Sequence, residues 1–154
     1  MRPPYEGIIA LLRHHGVEFE KIEHEPVHTC EEAATVRGLS LEQGAKSLLF
    51  KTKVGFVLVV VPGDKRVDSR SLKKILGVKD ARFASPEEVE ELMGCKIGSC
   101  YPFGNVAGLR TLADRSFDRY ETVSFNPGRH DVSIKMRYAD YHRLAQPEVV
   151  AVTA

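Results

Sequence analysis

Residues 56–61 read Phe-Val-Leu-Val-Val-Val with no polar interruption, and a strand of that composition has to be covered on both faces. The run is strand length and rich in β-branched residues, and it is far too short to cross a bilayer. It therefore predicts a central strand with structure packed above and below it. Residues 46–51 form a second β-rich run, separated from the first by a turn around Lys53, Val54 and Gly55, so the two predict a hairpin.

The remaining periodicity fits helices and strands mixed around such a sheet. Residues 5–15 space Ile8, Ile9, Leu11 and Leu12 as one face of a helix that Gly16 stops. Val17, Phe19 and Ile22 predict a strand that Pro26 breaks. Thr29 has the chemistry of an N-cap, with Glu31 and Glu32 in the first turn of a helix ended by Gly38. Residues 69–76 predict a basic helix ended by Gly77, and residues 81–84 a short strand. Ser85-Pro86-Glu87-Glu88 opens a further helix. Residues 109–113, 121–125 and 132–136 predict strands, 139–144 a helix and 149–152 a terminal strand. Without a regular β-α-β rhythm the fold class is α+β, a mixed, largely antiparallel sheet flanked by helices.

Composition narrows the function classes. At 154 residues, 43% hydrophobic and 28% charged, the chain fits one domain able to bury a core without disulfides or metals. Three cysteines, Cys30, Cys95 and Cys100, lack disulfide-framework or zinc spacing, and no metal or cofactor is expected. The opening MRPPYEG has no apolar leader core, so a cytoplasmic, membrane-free protein is expected. Net charge is +1, yet residues 51–82 carry nine basic side chains against three acidic ones. That local excess suits either an anionic ligand or a solvated face balanced by the glutamates that follow.

Residues 94–104 are the least regular part of the chain, punctuated by Gly94, Gly98, Pro102 and Gly104. Such spacing serves equally as a plain connection or as a cradle of backbone N–H groups for an anion or oxyanion. Lys46 opens its strand either as an exposed edge charge or as a phosphate partner beside that loop. His130 lies in a loop where it can wall a pocket. No Ser-His-Asp or Cys-His set appears, and Cys95 and Cys100 read as buried thiols rather than a redox pair.

Several segments in this order resemble one family. They are Thr29-Cys30-Glu31-Glu32-Ala33-Ala34, Lys46-Ser47-Leu48-Leu49-Phe50, Val61-Pro62-Gly63-Asp64-Lys65-Arg66-Val67-Asp68 and the loop from Gly98 through Pro102 to Gly104. Together they resemble the YbaK/prolyl-tRNA-synthetase-associated domain, across about residues 8–150. The resemblance implies a barrel-like sheet and an aminoacyl-tRNA deacylase that removes a small mischarged amino acid (Ala, Ser, Cys or Thr) in trans, with tRNA-Pro the expected carrier. It implies that Lys46 binds the phosphate of the terminal adenosine and that Gly98 opens a loop whose amides grip the ester. It also implies an amino-acid pocket drawn from Thr29, Ser47, Ser99, Cys100, Pro102, Gly104, Asn126, Gly128, His130 and Ser133. The partner is then the 3′ acceptor end of an aminoacyl-tRNA, with an aminoacyl-tRNA synthetase as a second partner. Ser47 stands where alanine-selective members carry Asn, and Asn126-Pro127-Gly128 replaces the turn of cysteine-selective members, so the amino acid stays unassigned. The other reading is a non-catalytic aminoacyl- or nucleotide-binding module associated with a synthetase.

Overall fold

In the computed structural model, which describes residues 3–154, the first half of the chain runs α1 (Pro4–His14), β1 (Phe19–Glu23), α2 (Cys30–Arg37), β2 (Ala45–Thr52) and β3 (Gly55–Pro62). There follow α3 (Ser69–Leu76), β4 (Ala81–Phe83), α4 (Pro86–Met93), β5 (Arg110–Asp114), β6 (Thr122–Phe125), β7 (Val132–Arg137), α5 (Tyr138–Ala145) and β8 (Glu148–Val150). The first two positions of the opening stretch read for a leader lie outside the described residues.

The apolar run becomes β3, paired on one side with β2 and on the other with β5. Its side chains divide by parity, as the period of a strand requires. Leu58 and Val60 enter a large core shared with Ile8 and Leu12 of α1, Val89 and Met93 of α4, and Phe125 and Ile134 of the neighbouring sheet. Val57, Val59 and Val61 enter a second core under α3 with Leu72, Leu112 and Val152. Each such fully buried Val or Leu contributes about 1.5–3 kcal/mol relative to exposure.

The strands form a five-stranded sheet in the order β4-β2-β3-β5-β8 and a three-stranded one in the order β1-β7-β6. Pairings β2–β3, β2–β4, β1–β7 and β6–β7 are antiparallel, and β3–β5 and β5–β8 are parallel. The sheet is thus mixed and largely antiparallel, as expected. Rather than closing into a barrel, the two sheets meet at a single seam, where Gly44 bridges Ser124.

The expected helix signals act locally. Thr29 Oγ accepts from the Glu32 N–H at 3.1 Å, and Ser85 and Glu88 form a reciprocal capping box. Gly38, Gly77 and Gly94 each end a helix in the left-handed region. The terminal strand, expected over 149–152, stops at Val150, and residues 115–119, between two expected strands, form a 3-10 turn capped by Asp114. One carboxylate holds both segments. Asp114 Oδ1 accepts from the Val152 N–H at 3.1 Å and from Thr153 Oγ1 at 3.3 Å, while Oδ2 accepts from the Ser116 N–H at 3.2 Å and from Ser116 Oγ.

Beside this seam Arg37, the last residue of α2, has its side chain buried and ties that helix to the three-stranded sheet. Its Nε donates to Ser133 Oγ on β7 at 2.9 Å, Nη1 to Ser124 Oγ on β6 at 3.1 Å, and Nη2 to Asn126 Oδ1 at 3.1 Å. A Cβ at Gly44 would stand 3.1 Å from Nη1, so any side chain there would press on the guanidinium.

Two stability predictions follow from these buried polar groups. Arg37→Ala strands three acceptors in the interior and should cost about 3 kcal/mol in urea unfolding. Burial pushes the Asp114 carboxyl up, and the hydrogen bonds from Ser116, Val152 and Thr153 outweigh it, leaving its pKa below the ordinary value. Its stabilisation is therefore present at neutral pH and lost as pH falls through the depressed folded value. Asp114→Ala should cost about 2 kcal/mol at pH 7, with the gap from wild type narrowing below about pH 4.

Candidate active site

Where α2, the start of β2 and the glycine-rich loop converge, they enclose a cavity of about 330 Å³. Thr29, Cys30, Ala33, Ala34 and Arg37 of the α2 region form one wall, and Gly44 to Leu49 form another. Ile97, Gly98 and Cys100 line it from the loop, Phe83, Ala84 and Val89 from the β4–α4 corner, and Asn126 from the turn after β6. Of the expected site residues, Thr29, Lys46, Ser47, Gly98, Cys100 and Asn126 thus share one cavity.

The lining carries the cationic side chains of Lys46 and Arg37 and no Asp or Glu. Neither cation forms a salt bridge among the described residues. Burial lowers the Arg37 pKa to about 10, which leaves the guanidinium charged at neutral pH. A buried cation held only by neutral acceptors retains unspent N–H donors and an uncompensated field. The cavity is therefore built for a ligand that brings negative or strongly dipolar oxygen.

Main-chain donors add to this. Gly98 has φ +92°, in the region that favours glycine, and the Ser99 N–H turns back onto Lys96 O at 3.0 Å. Among the described residues neither the Gly98 nor the Cys100 N–H donates a hydrogen bond. Both flank the cavity, which is the arrangement of an oxyanion-type cradle. Ser47 Oγ is buried and also lacks a partner among the described residues. A buried hydroxyl left without a partner calls for an explanation, and its strand lines the cavity.

Other expected residues stand behind the cavity and hold it. Ser99 O accepts from the Gly128 N–H at 2.9 Å, and Ser99 Oγ donates to Lys96 O at 2.8 Å. His130 Nε2 lies 3.3 Å from Ile97 O, and its ring packs on His28 with centroids 4.9 Å apart. Together Gly128 and His130 brace the loop from its far side. Ser133 contacts both Arg37 Nε and His24 Nε2, the latter at 2.9 Å, and so anchors the guanidinium. Asn126 both accepts from Arg37 and donates through Nδ2 to Arg129 O and Val132 O, each at 3.1 Å.

Pro102 and Gly104, expected among the pocket residues, do not line the cavity, because the chain turns into the core after Cys100. Pro102 O accepts from Tyr141 Oη at 2.7 Å. Gly104 is buried against Leu109 and Thr111, where a Cβ would stand 1.9 Å from Thr111 Oγ1. Cys95 and Cys100 are buried with their sulfurs 3.2 Å apart. The hydrogen bond between them and burial push the Cys95 thiol up, while the same bond draws Cys100 down.

Arg37 is the residue that sequence reasoning missed. Its position ahead of Gly38 reads as an ordinary cation at a helix C-terminus. The signal available, Ser124, Asn126 and Ser133 at the other end of the chain, means nothing until the sheets are assembled.

Residues 24–144 match the aminoacyl-tRNA editing domain. Over 151 residues the chain is 39% identical to the multifunctional Ser/Thr-tRNA deacylase ProXp-y of Escherichia coli (strain K12), covering 95% of this chain and 90% of that protein. Over 137 residues it is 32% identical to a proline–tRNA ligase of Xanthomonas campestris pv. campestris (strain 8004), covering 88% of this chain and 24% of the ligase. The fold is shared with the crystal structure of a candidate trans-editing enzyme for prolyl tRNA synthetase, with a TM-score of 0.89 at 26% identity over 100% of this chain and 99% of that one. By sequence, by fold and by the cavity the two create, this chain belongs to the aminoacyl-tRNA editing domain family.

Proposed function

We propose that the chain is an aminoacyl-tRNA deacylase acting in trans, hydrolysing the ester that joins a small, hydroxylated amino acid to the tRNA 3′ end. The observation that carries this reading is a cavity with two unpaired cations, two unspent loop amides and no carboxylate. Such a lining suits an ester oxygen and a nearby phosphate, and it offers no strong protein nucleophile. None is required, because an aminoacyl ester is already activated. Orientation and stabilisation of the oxyanion supply much of the rate.

In this reading Lys46 holds the phosphate of the terminal adenosine, and the Gly98 and Cys100 amides receive the carbonyl oxygen as it becomes an oxyanion. A water molecule attacks the carbonyl carbon and passes its proton to the ribose 2′-hydroxyl, whose own proton goes to the departing ribose oxygen. The bond between the carbonyl carbon and that oxygen breaks, releasing the free amino acid and the tRNA hydroxyl. The unpartnered Ser47 Oγ favours a substrate side chain that itself exchanges a hydrogen bond, which serine and threonine do and alanine does not. The Ser/Thr deacylase among the relatives agrees with that preference. The proline–tRNA ligase similarity supports tRNA-Pro as one carrier and a synthetase as a neighbour. A substrate of this kind carries with it a cytoplasmic location, and no helix among the described residues is long and apolar enough to cross a membrane.

Purified protein incubated with tRNAs charged with Ser, Thr, Ala and Cys should release Ser and Thr fastest. If none of the four is released at high protein concentration, the enzymatic reading is lost and a binding module remains. Lys46→Ala should lower kcat/KM by about 100-fold. Gly98→Ala forces a Cβ to 3.1 Å from His130 Nε2 at a φ that disfavours any side chain. The displaced amides should cost about 100-fold in kcat, while the strain lowers the midpoint of thermal unfolding by only several degrees and leaves the protein folded at the assay temperature.

A further inference from the structure

The mouth of the cavity is apolar where its interior is cationic. Phe83, at the end of the edge strand β4, is 62% exposed although it is a large aromatic residue that lines the cavity, and Ile97 on the loop side is 54% exposed. Burying such surface is favourable, so an exposed aromatic beside a functional cavity is a candidate contact for a ligand. Phe83 is also held in place. It pairs with Phe50 in the β2–β4 register, and the two rings stack with centroids 4.7 Å apart and planes 28° from parallel. Stacking on Phe50 covers one face and leaves the remaining ring surface to solvent. The following residues, Ala84 and Val89, continue the same lining inward.

We infer that Phe83, with Ile97 as the opposing apolar side chain, forms a stacking platform for the adenine base of the substrate's 3′-terminal nucleotide. The inference rests on the deacylase reading, and charge complementarity selects the occupant. A nucleotide whose phosphate is drawn to Lys46 brings a flat, uncharged base to the same cavity, and the base needs an apolar surface at the mouth. Stacking is indifferent to the amino acid and to the tRNA body, so this platform supplies affinity common to every substrate while the interior selects the aminoacyl group.

The test separates base from phosphate without requiring turnover. Binding of adenosine 5′-phosphate and of ribose 5-phosphate is measured by titration calorimetry or by amide chemical shifts, in wild type, Phe83→Ala, Phe83→Tyr and Lys46→Ala. Wild type should bind the nucleotide about tenfold more tightly than the sugar phosphate. Phe83→Ala should erase that ratio, Phe83→Tyr should keep it, and Lys46→Ala should weaken both ligands. In steady-state deacylation, Phe83→Ala should raise KM for threonyl-tRNA about tenfold and leave kcat within twofold. A ratio unchanged in Phe83→Ala, or no preference for the nucleotide in wild type, overturns the platform. Loss of all deacylation in wild type with the binding ratio intact would instead overturn the enzymatic reading and leave the platform standing.

Discussion

A charged guanidinium buried without a counter-ion organises this molecule. Arg37 takes helix α2, strands β6 and β7 and the turn at Asn126 and ties them to one planar group. Burying a cation is costly, and three neutral acceptors offset that cost only in part. What remains is a field directed at the adjoining cavity. The same interaction therefore fastens α2 to the three-stranded sheet and leaves a cation lining the cavity. Stability and function draw on one residue, and a Cβ at Gly44 would press on its guanidinium.

In the proposed deacylase reading, the chemistry of the cavity belongs mainly to the backbone. The loop after α4 spends its Ser99 N–H on Lys96 and keeps those of Gly98 and Cys100 free. Around it, Gly128 and His130 act as a brace, contacting Ser99 O and Ile97 O. Main-chain donors held from behind do not reorganise when charge develops on a substrate oxygen, which is the condition for effective oxyanion stabilisation. The cysteines of the loop lie close together and buried, and Cys100 is among the residues that line the cavity.

Much of the fold was legible locally. The unbroken apolar run at 56–61 required two covering layers, and its alternate residues do enter two different cores. Caps at Thr29 and Ser85 and left-handed glycines at 38, 77 and 94 gave their helices definite ends. The early end of the terminal strand at 150 and the 3-10 turn at 115–119 meet at the Asp114 carboxylate, which joins distant segments that no window of sequence contains. The site was legible in part through family resemblance. Lys46, Ser47, Gly98 and Asn126 converge, whereas Pro102 and Gly104 turn inward to Tyr141 and Thr111.

Sequence by itself determined what each segment had to be: which runs demanded burial, where helices begin and stop, and which family the chain belongs to. These are short-range matters, set by periodicity, side-chain size and the conformations open to glycine and proline. Tertiary structure alone decided which polar groups are left unspent. Arg37 became a site residue, and Phe83 an exposed platform, only because strands distant in the chain meet beside them. Solvation and hydrogen-bond partners depend on every neighbour at once, and no linear pattern encodes that sum.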